Sequence, residues 1–331
     1  MPTIGLIIDH RNTQVRCDRK TLLITRGNNK PQRLPIKLLE NVVVIGNPTV
    51  ESNVWRALAE AGIPATLLPG RGNQPPAILT SGLSITLPLR RLQYRCAEQQ
   101  STALPVARWI LDRKLDSYRL PLARLQPAPK DLKRFNKQRE KAQQQLTQTP
   151  TIEGLMGVEG SIANSWFGQL TTVLPPQWRF SGRNRRPPRD PVNALLSLGY
   201  TLLMSDVHQI IISEGMDPAL GFLHQPFPAR EALTLDITEL YRAGVDDFVL
   251  TLLKKLKPTN FNYHKDTGCR LNKQIRPHFY NHWAEHRQNW PRVPAKENPA
   301  PTQSASLQEQ LRGHLMELRQ ILKTTLQEKA T

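Results

Sequence analysis

Cysteine is scarce in this chain: Cys17, Cys96 and Cys269 are the only three in 331 residues. An odd number set so far apart excludes a disulfide framework. No CxxC spacing supports a thiolate metal cage, and no cysteine has a partner base at a recognisable spacing. Long apolar runs are missing too, since nothing approaches the roughly 20 residues of a membrane span. The opening MPTIGLIIDHRN lacks the basic region and long apolar stretch of a secretory signal. These absences point to a soluble, cytoplasmic protein with no membrane partner. Acid is also in short supply, with 27 Asp and Glu against 45 Lys and Arg, a net charge of +18. That excess favours a polyanionic partner, nucleic acid first.

What is present reads as an α+β chain of about two domains, a small N-terminal β-rich domain followed by a larger all-α C-terminal domain. Over residues 1–85, short β-type runs (Ile4–Asp9, Thr13–Cys17, Thr21–Thr25, Val42–Ile45, Ala65–Leu68) are punctuated by Asn and Gly. One helix fits between Thr49 as cap and Gly62 as stop. Residues 89–290 carry helical periodicity, over Leu89–Gln99, Pro105–Leu122, Ile152–Leu170, Pro191–Ser213, Arg230–Arg242 and Val245–Leu256. The polar stretch 126–150 reads as an exposed helix over Lys130–Gln148 or as a linker, and 258–297 as basic and irregular. Residues 291–331 form a Pro-rich linker and a last amphipathic helix. Ser306 and Glu309 make its capping box, and Leu307, Leu311, Leu315, Leu318, Leu322 and Leu326 its apolar face. That face needs burial, either on the chain's own helical domain or on a partner.

The stretch around which the rest is organised is Pro187–Val207. Asp190 caps a helix, and Pro191 takes its first position, where a missing N–H costs nothing. Leucines wrap most of its circumference, as in a buried helix. Just upstream, Arg179, Arg183, Arg185, Arg186 and Arg189 crowd one loop, an arrangement that repels itself unless an anion binds.

Three further segments place ionisable groups in apolar surroundings. GVEGSIANSWF holds Glu159 between Gly157 and Gly160, glycines that suggest a close approach to the backbone. GMDPALGFLH ends in His224, and LTLDITELYR sets Asp236 and Glu239 on one helical face. Glu, His and an acidic residue are hard O/N donors suited to Mg²⁺ or Mn²⁺, and such a site can polarise a phosphoryl oxygen. Taken singly, each has a blander reading as a solvated carboxylate or a satisfied structural histidine. A second cluster, His264, Cys269, His278, His282 and His286, is conceivable as a zinc site. It reads better as a basic, aromatic nucleic-acid surface in which Lys265, Arg270, Lys273, Arg276 and Arg287 interleave with Phe261, Tyr263, Phe279, Tyr280 and Trp283.

In order, the chain presents Glu159-Gly160, PPRDPVNALLSLGY over Pro187–Tyr200, GMDPALGFLH over Gly215–His224, and an Asp236-x-x-Glu239 helix followed by Arg242. With VVVIG, RRLQY and VARWILDRKL earlier in the chain, these segments over about residues 1–290 resemble the CRISPR-associated protein one family, the integrases of spacer acquisition in antiviral defence. Asn164 and Trp166 depart from that pattern, where Arg and Tyr are common. The resemblance implies a catalytic helical domain whose divalent metal, Mg²⁺ or Mn²⁺, is held by Glu159, His224 and Glu239, with Asp236 as support or alternative ligand. It implies that the arginine loop, with Asn193, and the 261–287 region contact double-stranded DNA. It further implies an N-terminal dimerisation domain, a homodimer, and a heterohexamer with a dimer of CRISPR-associated protein two. The implied reaction is cleavage and transesterification at the repeat boundary by a 3′-hydroxyl. The rival readings are a metal-dependent nuclease that does not integrate, and a DNA-binding scaffold with an inactive site.

Overall fold

The computed structural model describes residues 4–70, 76–79, 87–125, 129–184, 187–228, 230–293 and 304–327, with 129–132 by backbone alone. The chain divides into two compact units, Met1–Ile85 and Thr86–Thr331. The first is β-rich and the second helical, so the chain is α+β.

Strands β1 (Ile4–Ile8), β2 (Thr13–Asp18), β3 (Thr21–Arg26), β4 (Gln32–Pro35), β5 (Leu39–Ile45), β6 (Thr49–Val50), β7 (Ala65–Leu68) and β8 (Ala77–Leu79) form two four-stranded sheets, ordered β1-β5-β7-β8 and β4-β3-β2-β6. β5 pairs in parallel with both β1 and β7, so it is central. Its consecutive buried valines Val42, Val43 and Val44 are what a strand covered on both faces requires. In the second sheet the two inner strands alternate instead: Thr13 and Val15 on β2, Leu22 and Ile24 on β3, point inward. Helix α1 (Ser52–Glu60) buries Val54 and Leu58, four apart on one face. It begins later than expected, because Thr49 and Val50 are used to pair with Gln14 and Val15 and Glu51 takes the cap position.

The helical unit contains α2 (Leu87–Glu98), α3 (Gln100–Ser117), α4 (Arg119–Leu125), α5 (Pro129–Gln148), α6 (Ile152–Val173), α7 (Pro191–Ser213), α8 (Ala232–Leu253), α9 (Arg276–Gln288) and α10 (Leu307–Gln327), with a hairpin of β9 (Phe261–His264) and β10 (Gly268–Leu271). α8 is its spine, packing on α3, α4, α7 and α9. It runs unbroken where two helices were expected. Gly244 is there for close packing, since a Cβ on it would lie 2.3 Å from the Trp290 ring. The stretch read as a possible linker is the helix α5, anchored by buried Phe135, Ala142 and Leu146.

α7 corrects the reading that no segment reaches membrane length. An 18-residue window within Pro191–Ser213 has mean hydropathy 1.4, long and apolar enough by composition to cross a bilayer, yet 72% of it is buried within the protein. It is a core helix. α10 packs on α2, α3, α7 and α9, so its leucine face covers the chain's own helical unit. Leu307, Leu311, Leu315, Leu318 and Leu322 are buried, and the Ser306–Glu309 capping box closes its start.

Candidate active site

Three elements bring acid and base together. On α3 the buried face runs Val106, Ile110, Leu111, Leu115, and Lys114 lies among them with 4% of its side chain exposed. On α6, Leu155, Ile162 and Trp166 are buried, and Glu159 is four residues from the first and three from the second, at the edge of that face. α8 supplies Glu239, buried at 5% side-chain exposure. The Lys114 ammonium donates to both carboxylates, to Glu159 Oε1 and, at 2.5 Å, to Glu239 Oε2. Arg242, one turn along α8, donates Nε to the other oxygen, Glu239 Oε1, at 2.7 Å. Two acids and two cations thus form one neutral cluster.

Burial works against charge on Glu239. Arg242, Lys114 and His224 outweigh it and hold the carboxyl down at about 2. Burial likewise pulls the Lys114 pKa down, and Glu239, Tyr118 and Glu159 raise it further than burial lowers it, so the ammonium stays protonated. His224 acts on Glu239 as the weakest of these influences.

His224 lies midway along the loop between α7 and α8, and Asp236 fixes it there. Asp236 is fully buried, and its oxygens accept backbone N–H bonds from Phe222 (2.6 Å), Leu223 (3.0 Å) and His224 (2.9 Å). They also take the His224 Nδ1 hydrogen bond at 2.7 Å. With the ring proton on Nδ1, only Nε2 is left as a lone-pair donor. Gly221 makes the clamp possible, because a Cβ there would sit 2.6 Å from Asp236 Oδ2. Asp236 is therefore an orienting group whose oxygens already accept four hydrogen bonds, the supporting one of its two readings.

Beyond Arg242 the network reaches α7. The Tyr200 ring meets two guanidinia, Arg242 at 4.8 Å and Arg183 at 5.5 Å from its centroid. Its hydroxyl donates to Asp246, which also accepts Trp166 Nε1–H at 2.7 Å. Burial pushes the Asp246 carboxyl up to about 6 against those two hydrogen bonds.

The arginine loop divides. Arg183 turns inward, donating Nη1 to Asn193 Oδ1 at 2.8 Å and Nη2 to Ser197 Oγ at 3.2 Å. Arg179 and Arg189 are exposed, while Arg185 and Arg186 fall outside the described residues. Asn193, expected to contact DNA, is wholly buried. Its Nδ2 donates to Gly182 O (2.9 Å) and Asp190 Oδ2 (2.6 Å), and its Oδ1 accepts from Arg183 and Asn184. It shapes the loop rather than meeting a ligand. Asp190 caps α7 as expected, accepting from Asn193 N at 2.8 Å.

The 261–287 region is partly interior. Lys265 and Lys273 are exposed, and Arg270 and Arg276 are half-buried beside backbone carbonyls of Thr267 and Leu271. Phe261, Phe279 and Trp283 belong to the core, and Arg287 is buried 2.8 Å from Asp206, so these are not surface. The second histidine cluster is divided too: the His278 and His282 rings lie 4.1 Å apart at a 51° tilt, but His286 bonds Gly244 O. Gly157 and Gly160 have open space where a Cβ would go, so the close approach expected there is not seen among the described residues.

Glu159, Glu239 and His224 Nε2 are, in kind, the donor set of a hard divalent cation. Among the described residues, however, no three His, Cys, Asp or Glu side chains are gathered as a metal ion would require, and the point between the two carboxylates is held by Lys114. Sequence reading missed Lys114 and gave Arg242 no role beyond its place after the Asp236-x-x-Glu239 motif. The one signal for Lys114 is a cation on the apolar stripe of α3.

A family model described as CRISPR associated protein Cas1 matches residues 6–285. The chain is 33% identical over 283 residues to the CRISPR-associated endonuclease Cas1 1 of Thermodesulfovibrio yellowstonii, covering 83% of this chain and 88% of the relative. In fold it is similar to a casposase bound to integration product, with TM-score 0.81 at 19% identity over 98% and 91% of the two chains. It is similar also to a chain of a partial Cas6-RT-Cas1–Cas2 complex, with TM-score 0.65 at 25% identity over 97% and 96%.

Proposed function

The chain belongs to the CRISPR-associated protein Cas1 family, and from that premise we propose that it is a metal-dependent DNA endonuclease and integrase of spacer acquisition. The observation that carries the reading is the meeting of Glu159 and Glu239, from α6 and α8, on one ammonium, with a histidine whose Nδ1 is already committed acting electrostatically on Glu239. Glu159, Glu239 and His224 Nε2 would hold Mg²⁺ or Mn²⁺, which when bound polarises the scissile phosphate and offsets the charge that develops on it. Asp236 keeps the His224 ring turned with Nε2 outward. Arg242 keeps Glu239 ionised and, braced by Tyr200, fixes its orientation. The exposed cations Arg179, Arg189, Lys265 and Lys273, with Arg185, Arg186, Arg270 and Arg276, would hold the phosphates of double-stranded DNA.

The reaction is an exchange of phosphodiesters. A 3′-hydroxyl of the incoming fragment attacks the phosphorus at the repeat boundary, and the 3′-oxygen of the cut strand leaves. One ester bond forms and one breaks, so no outside energy is needed. A neighbour in a complex with Cas2 supports Cas2 as a partner, and the proposal extends this to a homodimer working with a Cas2 dimer in a heterohexamer, in the cytoplasm. Fixing both DNA ends in line supplies much of the rate.

Incubation with Cas2, a short duplex and a plasmid carrying a repeat tests this. Joined product is expected with Mg²⁺ or Mn²⁺ from 3′-hydroxyl ends and not from 3′-deoxy or 3′-phosphate ends. Cutting without joining under every condition would leave the nuclease reading, and DNA binding with neither product the scaffold reading.

A further inference from the structure

Lys114 sits where the proposed function puts a metal. Its ammonium is buried and donates to Glu159 Oε1 and Glu239 Oε2, oxygens from two helices. Buried ions of this kind are costly unless fully compensated, and here compensation is complete: Glu159 and Glu239 balance Lys114 and Arg242. A divalent cation entering that cluster would add two positive charges to a neutral group, at oxygens already accepting hydrogen bonds. One of the resident cations has to yield.

The two residents differ in freedom. Arg242 is held by its planar fork, with Nε on Glu239 Oε1 at 2.7 Å and its guanidinium over the Tyr200 ring at 4.8 Å. Lys114 ends in a compact ammonium on a flexible four-carbon stem, and its partners are the two carboxylates themselves. Resting on the metal reading of the site, we propose that Lys114 is the resident counter-ion of the metal-free site, competing with the divalent metal for the same oxygens of Glu159 and Glu239. The ammonium keeps two buried acids from repelling each other while the metal is absent. It also weakens the metal's hold, because binding includes the work of displacing it.

Direct Mn²⁺ titration, followed by the electron-paramagnetic signal of the free ion, tests this without reference to catalysis. Lys114→Met and Lys114→Gln should bind Mn²⁺ about tenfold or more tightly than the wild type, since the competitor is gone and the acids remain. Their melting temperature in EDTA should fall, and Mn²⁺ should raise it by more than it raises that of the wild type. If either variant unfolds in EDTA, Mn²⁺ should restore its circular-dichroism spectrum, the metal taking the ammonium's place. Folded variants whose Mn²⁺ affinity is equal to or weaker than wild type, or unfolded ones that Mn²⁺ does not rescue, overturn the proposal. A Glu159→Ala/Glu239→Ala control separates the two failures. If wild type and control bind Mn²⁺ alike, the metal reading falls with it; if only the control loses binding while Lys114→Met matches wild type, Lys114 alone was misjudged.

Discussion

The β-rich unit and the helical unit are built on different terms. In the first, the buried polar side chains among the described residues are Thr13, Asn41 and Thr66, none of them charged. Apolar strands and α1 close that core with apolar side chains. In the second, Lys114, Asp206, Asp236, Glu239, Asp246, Asp247 and Arg287 are all buried. The leucine-rich α7 and α10 already supply apolar burial, so the helical unit does not need these charges to collapse. Buried ions cost several kcal/mol each before pairing. Their concentration around Glu239 marks where stability has been exchanged for chemistry, whereas the Asp206–Arg287 pair, tying α7 to α9, touches none of the candidate ligands.

The comparison can be broken at its sharpest point first. Glu239→Ala should lower DNA joining and cleavage by about a thousandfold or more, since it removes a proposed ligand. It should also cost about 3–5 kcal/mol in denaturant unfolding, because Lys114 and Arg242 lose their shared partner. Leu58→Ala in the first unit should cost a comparable ~2–5 kcal/mol by cavity formation with joining per folded molecule unchanged. If Leu58→Ala lost activity to the same degree, the functional division would fail.

The Asp206–Arg287 pair sharpens the distinction between structural and chemical charge. Asp206→Leu or Arg287→Met alone should destabilise by about 3–5 kcal/mol, and the double variant should recover most of that. A double variant as unstable as the sum of the two would mean that the two charges are not energetically coupled.

A smaller effect concerns pH. Burial against Phe248 and Trp290 depresses the His286 pKa from 6.5 to about 4, outweighing its hydrogen bond to Gly244 O. The unfolded chain therefore binds the proton more readily between those values. Its contribution is intact above pH 6.5 and is lost as pH falls toward 4, by about 3 kcal/mol at most. His286→Gln should flatten the acid limb of stability against pH, and Leu58→Ala should shift the whole curve without changing its shape.

The smallest change is expected on the outside. Arg179→Ala and Arg189→Ala should each weaken DNA binding and reduce the slope of log affinity against log salt by about one. An unchanged slope would remove that loop from the DNA surface.

The β runs, the Asp190–Pro191 start of α7 and the leucine face of α10 were legible because each is a local pattern with a local cause. Glu159, His224 and Glu239 could be picked out as ionisable groups in apolar segments, but not their mutual placement. Lys114 was hidden because its partners lie 45 and 125 residues away. Asp236 could be read as support or as ligand because its four N–H donors come from a loop whose path no periodicity describes. Arg183, Arg287 and Asn193 looked like a DNA surface because composition reports charge and polarity, and not which way a side chain turns. The two helical stretches Arg230–Arg242 and Val245–Leu256 read as separate because nothing nearby in sequence announces that Trp290 packs on Gly244 between them.

Asp236, Glu239, Arg242 and Asp246 follow one another along α8 at intervals of three, three and four residues. Each residue of an α-helix turns about 100°. Deleting a single residue after Asp236 would swing the rest of the set a quarter-turn or more out of line, away from Lys114, Tyr200 and Trp166 together. α8 is thus a ruler whose length cannot be edited. In related chains, insertions and deletions should collect in the loops around it, with none between the positions of Asp236 and Asp246.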